Sequence, residues 1–363
     1  MSRAFPVRDL PGSRTPPRTG GRRDGDPAGD RLFLDLDGPV RLERGGVLPR
    51  LRVAYETWGT PAPDGGNAVL VEHALTGDSH VTGPAGPGHP TPGWWAPLVG
   101  PGAPLDTDRL FVVCANVLGG CQGTTGPSST APDGRPWGAR FPEVTVGDQV
   151  LVEAALADAL GVRRWAAVVG GSMGGMRVLE WAVALPDRVG ALFFLASGAA
   201  VTADQLGTQT TQQAAIRADP VAGLGIARRI AHLTYRSALE LEERFGTTVQ
   251  ADGRFAVASY LEHHADKLTR RFDPDSYLVL TEAMNTWDVG RGRGGIEAAL
   301  ARVTARAVVA GVDSDRLYPL ALQQRVADAL GVPLRVLSSP YGHDGFLLEA
   351  AAVGALVREL LGT

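Results

Sequence analysis

A serine flanked by glycines, in the segment Gly-Gly-Ser-Met-Gly at 170–174, is the pattern in this sequence that best fits covalent catalysis. A G-x-S-x-G segment between a strand and a helix turns the chain sharply and exposes the serine hydroxyl, which can then attack a carbonyl carbon. The apolar run WAAVV precedes the segment and MRVLEWAVAL follows it, as a strand and a helix would. The alternative is a glycine-rich turn whose serine only caps the helix. We favour Ser172 as a nucleophile.

A serine nucleophile needs a histidine base and a carboxylate that orients the histidine, and in this arrangement they follow in the chain order serine, acid, histidine. Of the seven histidines, only His343 follows the last predicted core strand. The acid should come soon after the apolar run 305–309, where Asp313 and Asp315 both qualify by position. We favour Asp315 because Pro319 follows it in a D-x-x-x-P turn.

Acyl transfer also needs two N–H donors for the negative charge that develops on the carbonyl oxygen. The residue after the nucleophile, Met173, supplies one backbone N–H. The second should come from a loop after an earlier strand. The segment 73–77 follows the apolar run AVLVE and offers the N–H of Leu75. We interpret His73, which begins this segment, as a structural residue at the strand end.

Short apolar runs alternate with helical segments along much of the chain, which is typical of a mostly parallel sheet with helices on both faces. The strand signal disappears between about 200 and 300, where helical segments predict a lid. We therefore expect an α/β core formed by 31–199 and 301–363, and a helical lid at 200–300. Residues 1–30 are rich in Pro, Gly and Arg and poor in large apolar residues, so a disordered tail is expected there.

The predicted strands are 32–36, 51–57, 68–75, 110–117, 165–169, 191–196, 305–309 and 334–337. The predicted helices are 147–160, 173–185, 225–234, 238–244, 254–268, 276–286, 320–330 and 346–361.

The composition argues against several classes of protein. A net charge of -4 is not that of a basic nucleic-acid binder. No run of about 18 apolar residues predicts a membrane span. The only two cysteines, Cys114 and Cys121, cannot form a disulfide framework, which indicates a reducing, cytoplasmic compartment.

No metal site is expected from the sequence, because the adjacent His263 and His264 point to different faces of a helix. No glycine-rich nucleotide-binding motif is present either. Arg291 and Arg293 could contact the phosphates of a nucleotide-bearing cosubstrate, but we favour a solvated loop.

Several longer strings, taken together, resemble the homoserine O-acetyltransferase family of α/β-hydrolase fold enzymes, over roughly residues 31–361. They are HALTGDSHV (73–81), NVLGGCQGTTGP (116–127), GGSMGGMRVLEW (170–181), IARRIAHLTY (226–235), RFDPDSY (271–277), WDVGRGRGG (287–295), SDRLYP (314–319) and YGHDGFL (341–347).

The resemblance implies an α/β-hydrolase fold with a helical lid and a ping-pong acyl transfer. Ser172 would take an acetyl group from acetyl-CoA, with His343 as base and Asp315 orienting it. The hydroxyl of L-homoserine would then take the acetyl group. Acetyl-CoA is a cosubstrate in this scheme, and no cofactor is implied. The family is typically homodimeric through the lid helices and serves methionine biosynthesis.

The resemblance also implies how the amino acid is held. Arg228 would meet its carboxylate, Asp344 its ammonium group, and Tyr235 would complete the set. Arg228 and Tyr235 are seven residues apart, nearly two helical turns, so they share a helix face.

The chain departs from the family pattern in one place. About a dozen residues that family members carry are missing between AIRADP (215–220) and the GL of 223–224. This shortens the lid beside the proposed anchors. L-serine or another alcohol as acceptor, and succinyl-CoA as donor, therefore stay open. A serine esterase or another hydrolase using the same triad is the alternative of a different class, and a non-catalytic protein on this fold is a third.

Overall fold

The computed structural model describes residues 20–36 and 38–363. Within them, eight strands form one sheet in the order β1-β2-β4-β3-β5-β6-β7-β8. The first two neighbour pairs in this order are antiparallel, and all the others are parallel. The strands, in chain order, are β1 (Leu32–Leu36), β2 (Leu51–Trp58), β3 (Ala68–Glu72), β4 (Phe111–Ala115), β5 (Ala167–Gly171), β6 (Ala191–Leu195), β7 (Arg306–Val312) and β8 (Leu334–Leu337). Four two-residue strands pair outside this sheet: Val40–Arg41 with Val47–Leu48, and Val99–Gly100 with Leu105–Asp106.

Eleven α-helices occur in the described part of the chain. They are α1 (Val146–Ala159), α2 (Met173–Ala184), α3 (Ala203–Ala218), α4 (Pro220–Tyr235), α5 (Ala238–Phe245), α6 (Ala256–Thr269), α7 (Pro274–Asn285), α8 (Ile296–Leu300), α9 (Leu320–Leu330), α10 (Gly345–Leu348) and α11 (Ala350–Leu361). None of these helices is both long enough and apolar enough to cross a membrane.

The sheet is buried on both faces. Successive residues of β6 show this, because Phe193 packs into one apolar cluster and Phe194 into the other. Consecutive side chains of a strand point to opposite faces, so each cluster lies on one side of the sheet. A parallel sheet covered on both faces explains why its strands are continuous apolar runs in the sequence.

The helical insertion, defined here as α3 to α8, lies between β6 and β7. Its first helix, α3, is absent from the sequence prediction because its buried positions are mostly glutamine rather than apolar residues, so no apolar periodicity marks it. Its start carries a readable signal: Thr202 and Gln205 form a reciprocal capping box. The buried glutamine positions in α3 are Gln205, Gln209, Gln212 and Gln213.

The shortened connection in the insertion is a single residue between α3 and α4. Asp219 caps α4, and its carboxylate accepts the backbone N–H groups of Val221 and Ala222. The two helices pack closely just after this corner, because a Cβ on Gly223 would lie 2.1 Å from the carbonyl oxygen of Ala215. The missing residues are therefore replaced by a tight helical corner.

Residues 20–30, expected to be part of a disordered tail, pack against the core, so that part of the prediction is wrong. The N–H of Arg22 donates to the carbonyl of Cys121 at 2.8 Å, and the N–H of Asp30 donates to Nε2 of His89 at 2.9 Å. Backbone hydrogen bonds to distant loops hold this polar segment without much apolar burial. The prediction for residues 1–19 lies outside the described residues.

The last predicted helix, 346–361, is two helices. Glu349 separates α10 from α11 with φ -86 and ψ 51, which is not helical. The break follows the turn that carries His343 and Asp344, so α10 continues the site loop and α11 packs on the sheet.

Candidate active site

Ser172 stands on the turn between β5 and α2, with φ 58 and ψ -127. Positive φ is costly for a residue with a side chain, and such strain is typical of functional sites. The turn also requires glycine nearby, because a Cβ on Gly174 would lie 2.1 Å from the carbonyl oxygen of Glu72 in β3. The chain thus holds a serine hydroxyl at the carboxyl end of a central strand.

The three predicted triad residues form one hydrogen-bonded chain. Oγ of Ser172 lies 2.9 Å from Nε2 of His343, and Nδ1 of His343 lies 2.6 Å from Oδ2 of Asp315. All three residues are buried. A proton can pass from the serine to a histidine that the carboxylate holds in position.

The structure brings Asp315, rather than Asp313, against His343. The second oxygen of Asp315 accepts the backbone N–H groups of Leu317 and Tyr318, each at 2.8 Å, so the carboxylate is fixed on both sides. Asp313 instead accepts the N–H of Ser339, two residues past the end of β8.

The two predicted oxyanion donors come from different segments: Met173 follows Ser172 directly, and Leu75 lies three residues after the end of β3. Met173 is the first residue of α2, so its N–H has no acceptor inside the helix. Leu75 lies in a turn closed by a hydrogen bond from Gly77 N–H to the carbonyl of Ala74. No acceptor for the Leu75 N–H is found within the described ranges. Neither N–H group therefore has an acceptor among the described residues, as the oxyanion prediction requires.

His73 holds the peptide group that carries the Leu75 N–H. Its Nδ1 lies 2.8 Å from the Ala74 carbonyl, and its Nε2 accepts the N–H of Val117 at 3.1 Å. The second bond places the proton on Nδ1, so the ring donates to the carbonyl of the same peptide group. Burial and the Arg177 charge lower the pKa of His73 to about 3, which keeps the ring neutral. The predicted structural role matches these contacts.

A buried ionic cluster lies behind this turn. Arg177 is within 2.8 Å of Glu72 and 2.7 Å of Glu153, and it also donates to the carbonyl of His73 at 2.5 Å. Burial raises the pKa of Glu72 well above its usual range, although Arg177 opposes this. The cluster ties β3, α1 and α2 to the start of residues 73–77, which we call the oxyanion turn because they include the predicted donor Leu75.

Replacing Arg177 with methionine should lower the free energy of unfolding by about 3–5 kcal/mol, because it leaves carboxylates buried without their cation. The loss should shrink as the pH falls, since protonation removes the uncompensated charge. Urea unfolding at several pH values measures both effects. The exposed Arg229→Met variant serves as the control. A pH-independent loss would contradict the electrostatic reason.

The three anchors implied by the resemblance lie near His343. The ring centroids of Tyr235 and His343 are 5.7 Å apart, and the guanidinium of Arg228 lies 5.6 Å from the Tyr235 ring centroid. Asp344 follows His343 directly, and its carboxylate lies 3.1 Å from Nε of Arg236. Arg236 is a member of this group that the sequence analysis did not name. It comes one residue after Tyr235, at the C-terminus of α4, where no apolar pattern distinguishes it.

Arg271 is a second residue that the sequence analysis missed. It lies between α6 and α7, and its NH1 donates to the carbonyl of Thr76 in the oxyanion turn at 2.8 Å. Its only sequence signal is its place in the string RFDPDSY.

Four side chains with metal-ligand atoms also lie together, all within 4.8 Å, although the sequence showed no ligand spacing. They come from separate segments: Asp30, Glu56, His80 and His89. Nδ1 of His80 pairs with Glu56 at 2.9 Å, while Nε2 of His89 accepts the N–H of Asp30. The two imidazole rings are stacked, with their centroids 3.8 Å apart and an angle of 14° between their planes. Because the two rings are stacked and nearly parallel, the lone pairs of their nitrogen atoms lie in separate planes. The two histidines could bind one metal ion together only if the stacking and the hydrogen bonds to Glu56 and Asp30 were broken.

The two arginines weighed as phosphate contacts border a depression of about 310 Å³ that none of the triad residues lines. Arg293 donates to both carboxylate oxygens of Glu180, at 2.6 and 2.7 Å. Arg291 donates to the Thr286 carbonyl and lies 3.6 Å from Glu43. Because both guanidiniums have protein partners, the structure gives no support for a phosphate site here.

Comparison with known proteins agrees with this architecture. The family model described as the alpha/beta hydrolase fold matches residues 67–350. Two solved structures share the fold. Esterase E22 is 24% identical, with a TM-score of 0.84, and the match covers 91% of this chain and 99% of that chain. A homoserine O-acetyltransferase from Bacillus anthracis is 23% identical, with a TM-score of 0.85, and the match covers 92% of this chain and 97% of that chain. At such identities the likeness shows the fold alone, and the two proteins are named for different activities.

The curated proteins add a much closer match. A homoserine O-acetyltransferase from Thermobifida fusca is 60% identical over 370 residues, covering 95% of this chain and 97% of that relative. The expected fold and the family resemblance are thereby confirmed. The chain is an acyltransferase that belongs to the homoserine O-acetyltransferase family of the α/β-hydrolase fold.

Proposed function

We propose that this enzyme transfers an acetyl group from acetyl-CoA to the hydroxyl of L-homoserine through an acetyl-Ser172 intermediate. One observation carries the proposal. An acyl-transfer triad lies beside groups of both charges, Arg228 and Asp344, and an amino-acid acceptor carries the complementary pair. The activity named for the Thermobifida fusca relative supports homoserine as the acceptor.

In the first half-reaction, Nε2 of His343 takes the Ser172 proton while Oγ attacks the thioester carbonyl carbon. The N–H groups of Leu75 and Met173 hold the negative charge on the carbonyl oxygen. Collapse of the intermediate breaks the C–S bond. The sulfur leaves with the proton from His343, and the acetyl group stays on Ser172.

In the second half-reaction, the acceptor hydroxyl gives its proton to His343 and attacks the acetyl carbon. Collapse breaks the bond to Oγ, which recovers the proton. Arg228 would bind the acceptor carboxylate, and Asp344 the ammonium group. Asp344 already has Arg236 beside it, so the ammonium group would share that carboxylate.

In a plot of kcat/KM against pH, the decrease on the acid side, called the acid limb here, should have its midpoint above pH 6.5, the ordinary pKa of histidine. Burial alone lowers the pKa of His343, but the charge and hydrogen bond of Asp315 outweigh burial and raise it. Only the neutral ring accepts a proton, so activity falls as the pH drops through this raised pKa. A pH–rate profile measures the limb, and a limb below pH 6.5 would contradict the assignment.

The closest alternative is a serine esterase, because the E22 structure shares the fold. Arg228, which has no carboxylate within 4.0 Å among the described residues, lies near the triad and favours an acceptor with a carboxylate over water. The test is release of free thiol from acetyl-CoA with L-homoserine, with L-serine or with no acceptor, repeated with succinyl-CoA. Fast release with acetyl-CoA and L-homoserine alone is expected. Equal release without an acceptor would establish a hydrolase, and preference for L-serine or the succinyl donor would change the assigned substrate.

We further propose a homodimer built through the helical insertion, acting in methionine biosynthesis in the cytoplasm. The insertion exposes several large apolar side chains, of the kind that a subunit interface covers. They are Ile226, Leu233, Leu239, Val249 and Phe255. Cys114 and Cys121 are both free, which fits a reducing compartment.

A further inference from the structure

Two guanidinium groups converge on one threonine of the oxyanion turn. Arg228, from α4, donates to Oγ1 of Thr76 at 3.4 Å. Arg271, from the loop after α6, donates to the backbone carbonyl of the same residue at 2.8 Å. Thr76 follows Leu75, whose N–H is the proposed oxyanion donor, so both positive charges lie next to the reacting centre.

Neither charge is neutralised by a close ion pair. Across residues 20–36 and 38–363, no carboxylate oxygen lies within 4.0 Å of Arg228 or Arg271, although Arg177, Arg236 and Arg293 all have such partners. Burial and the Arg228 charge lower the pKa of Arg271, and Asp78 opposes this only partly. Two partly buried cations that repel each other are costly unless an anion joins them.

We propose that Arg271 is an acceptor-binding residue that, together with Arg228, forms a subsite for the acceptor's carboxylate. This inference rests on the proposed function and deepens it, because it adds a residue that makes a carboxylate a requirement of the acceptor. A monoanion between the two guanidiniums relieves their repulsion, whereas an uncharged alcohol leaves it in place. Arg271 uses one of its five N–H donors on Thr76, so donors remain for a carboxylate.

The test compares Arg271→Gln and Arg271→Lys with a matched control, Arg270→Gln. Arg270 is the neighbouring residue and is exposed. The acceptors are L-homoserine and 3-aminopropan-1-ol, which lacks only the carboxylate.

Arg271→Gln should raise the KM for L-homoserine about 10- to 100-fold, the range for losing a hydrogen bond to a charged group. Its kcat/KM for 3-aminopropan-1-ol should fall by a much smaller factor than its kcat/KM for L-homoserine. Arg271→Lys should recover part of the loss, and the control should match the wild type.

Acetyl-enzyme formation from acetyl-CoA, followed without an acceptor, isolates the first half-reaction, and in Arg271→Gln its rate should change by a much smaller factor than the KM for L-homoserine. If this step slows by as large a factor, or if both acceptors lose the same factor in kcat/KM, Arg271 only supports the turn and the inference is wrong.

Inhibition by butyrate, with n-butanol as the uncharged control, keeps the inference separate from the proposed function. Butyrate should compete at the site and should bind at least about tenfold more weakly to Arg271→Gln. This result would support the anion subsite even if L-homoserine proved not to be the acceptor. Equal inhibition of the wild type and the variant would overturn the inference.

Discussion

Replacing Ser172 with alanine should eliminate the acetyl-enzyme adduct and lower turnover about 10⁶-fold, the order of loss when a serine nucleophile is removed from a triad. Oγ of Ser172 is the triad atom that forms the new bond, and it lies 2.9 Å from the base. Without Oγ, His343 has no serine proton to take. Intact-mass spectra after mixing with acetyl-CoA should show one added acetyl group on the wild type and none on the variant.

Residues that act as one unit are not additive, which supplies the control for this prediction. The double variant Ser172→Ala, His343→Ala should be no slower than Ser172→Ala alone. Thermal unfolding of each variant checks that the fold is intact. A surviving adduct in Ser172→Ala, or a much slower double variant, would show that another group carries the acetyl.

Replacing Asp315 with asparagine should lower kcat about 10⁴-fold, the order found when a triad acid becomes an amide. The carboxylate accepts from Nδ1 of His343 at 2.6 Å and also from two backbone N–H groups. An amide can donate as well as accept, so it permits the wrong histidine tautomer. It also removes the charge that raises the pKa of His343.

Asp313→Asn is the matched control for that variant, because Asp313 is two residues away and contacts the Ser339 N–H instead of the triad. Its kcat should stay near the wild-type value. In Asp315→Asn the residual acid limb should move to lower pH, while in Asp313→Asn it should not move. A larger loss from Asp313→Asn would reverse the assignment of the acid.

Much of the site follows from local sequence, because its parts are turns at strand ends. The sharp turn at Ser172 needs only glycines around the serine, between a strand and a helix, and these neighbours are contiguous in the chain. The choice of Met173 and Leu75 as N–H donors follows from the same motif, because one donor is the residue after the nucleophile and the other lies in a loop after an earlier strand. Asp315 and His343 follow from chain order and from their place after β7 and β8.

Two predictions about the fold are wrong because local composition and periodicity were the only signals available for them. Helix α3 buries glutamines, so apolar periodicity could not reveal it. Residues 20–30 are polar and glycine-rich, so their composition suggested disorder. Their order comes from hydrogen bonds to His89 and to the Cys121 carbonyl, both far away in the sequence.

The sequence by itself determined the mostly parallel sheet, the helical insertion, the triad positions and the family, because periodicity, turn chemistry and motif spacing are properties of neighbouring residues. Tertiary structure alone decided which charges are compensated. Arg293 and Arg271 look alike in the sequence, yet Arg293 is paired with Glu180 and Arg271 donates to Thr76, 195 positions away. An ion pair depends on a distance in space, which the order of residues along the chain does not specify. For that reason the part that we propose for Arg271 in the carboxylate subsite emerges only from the folded protein.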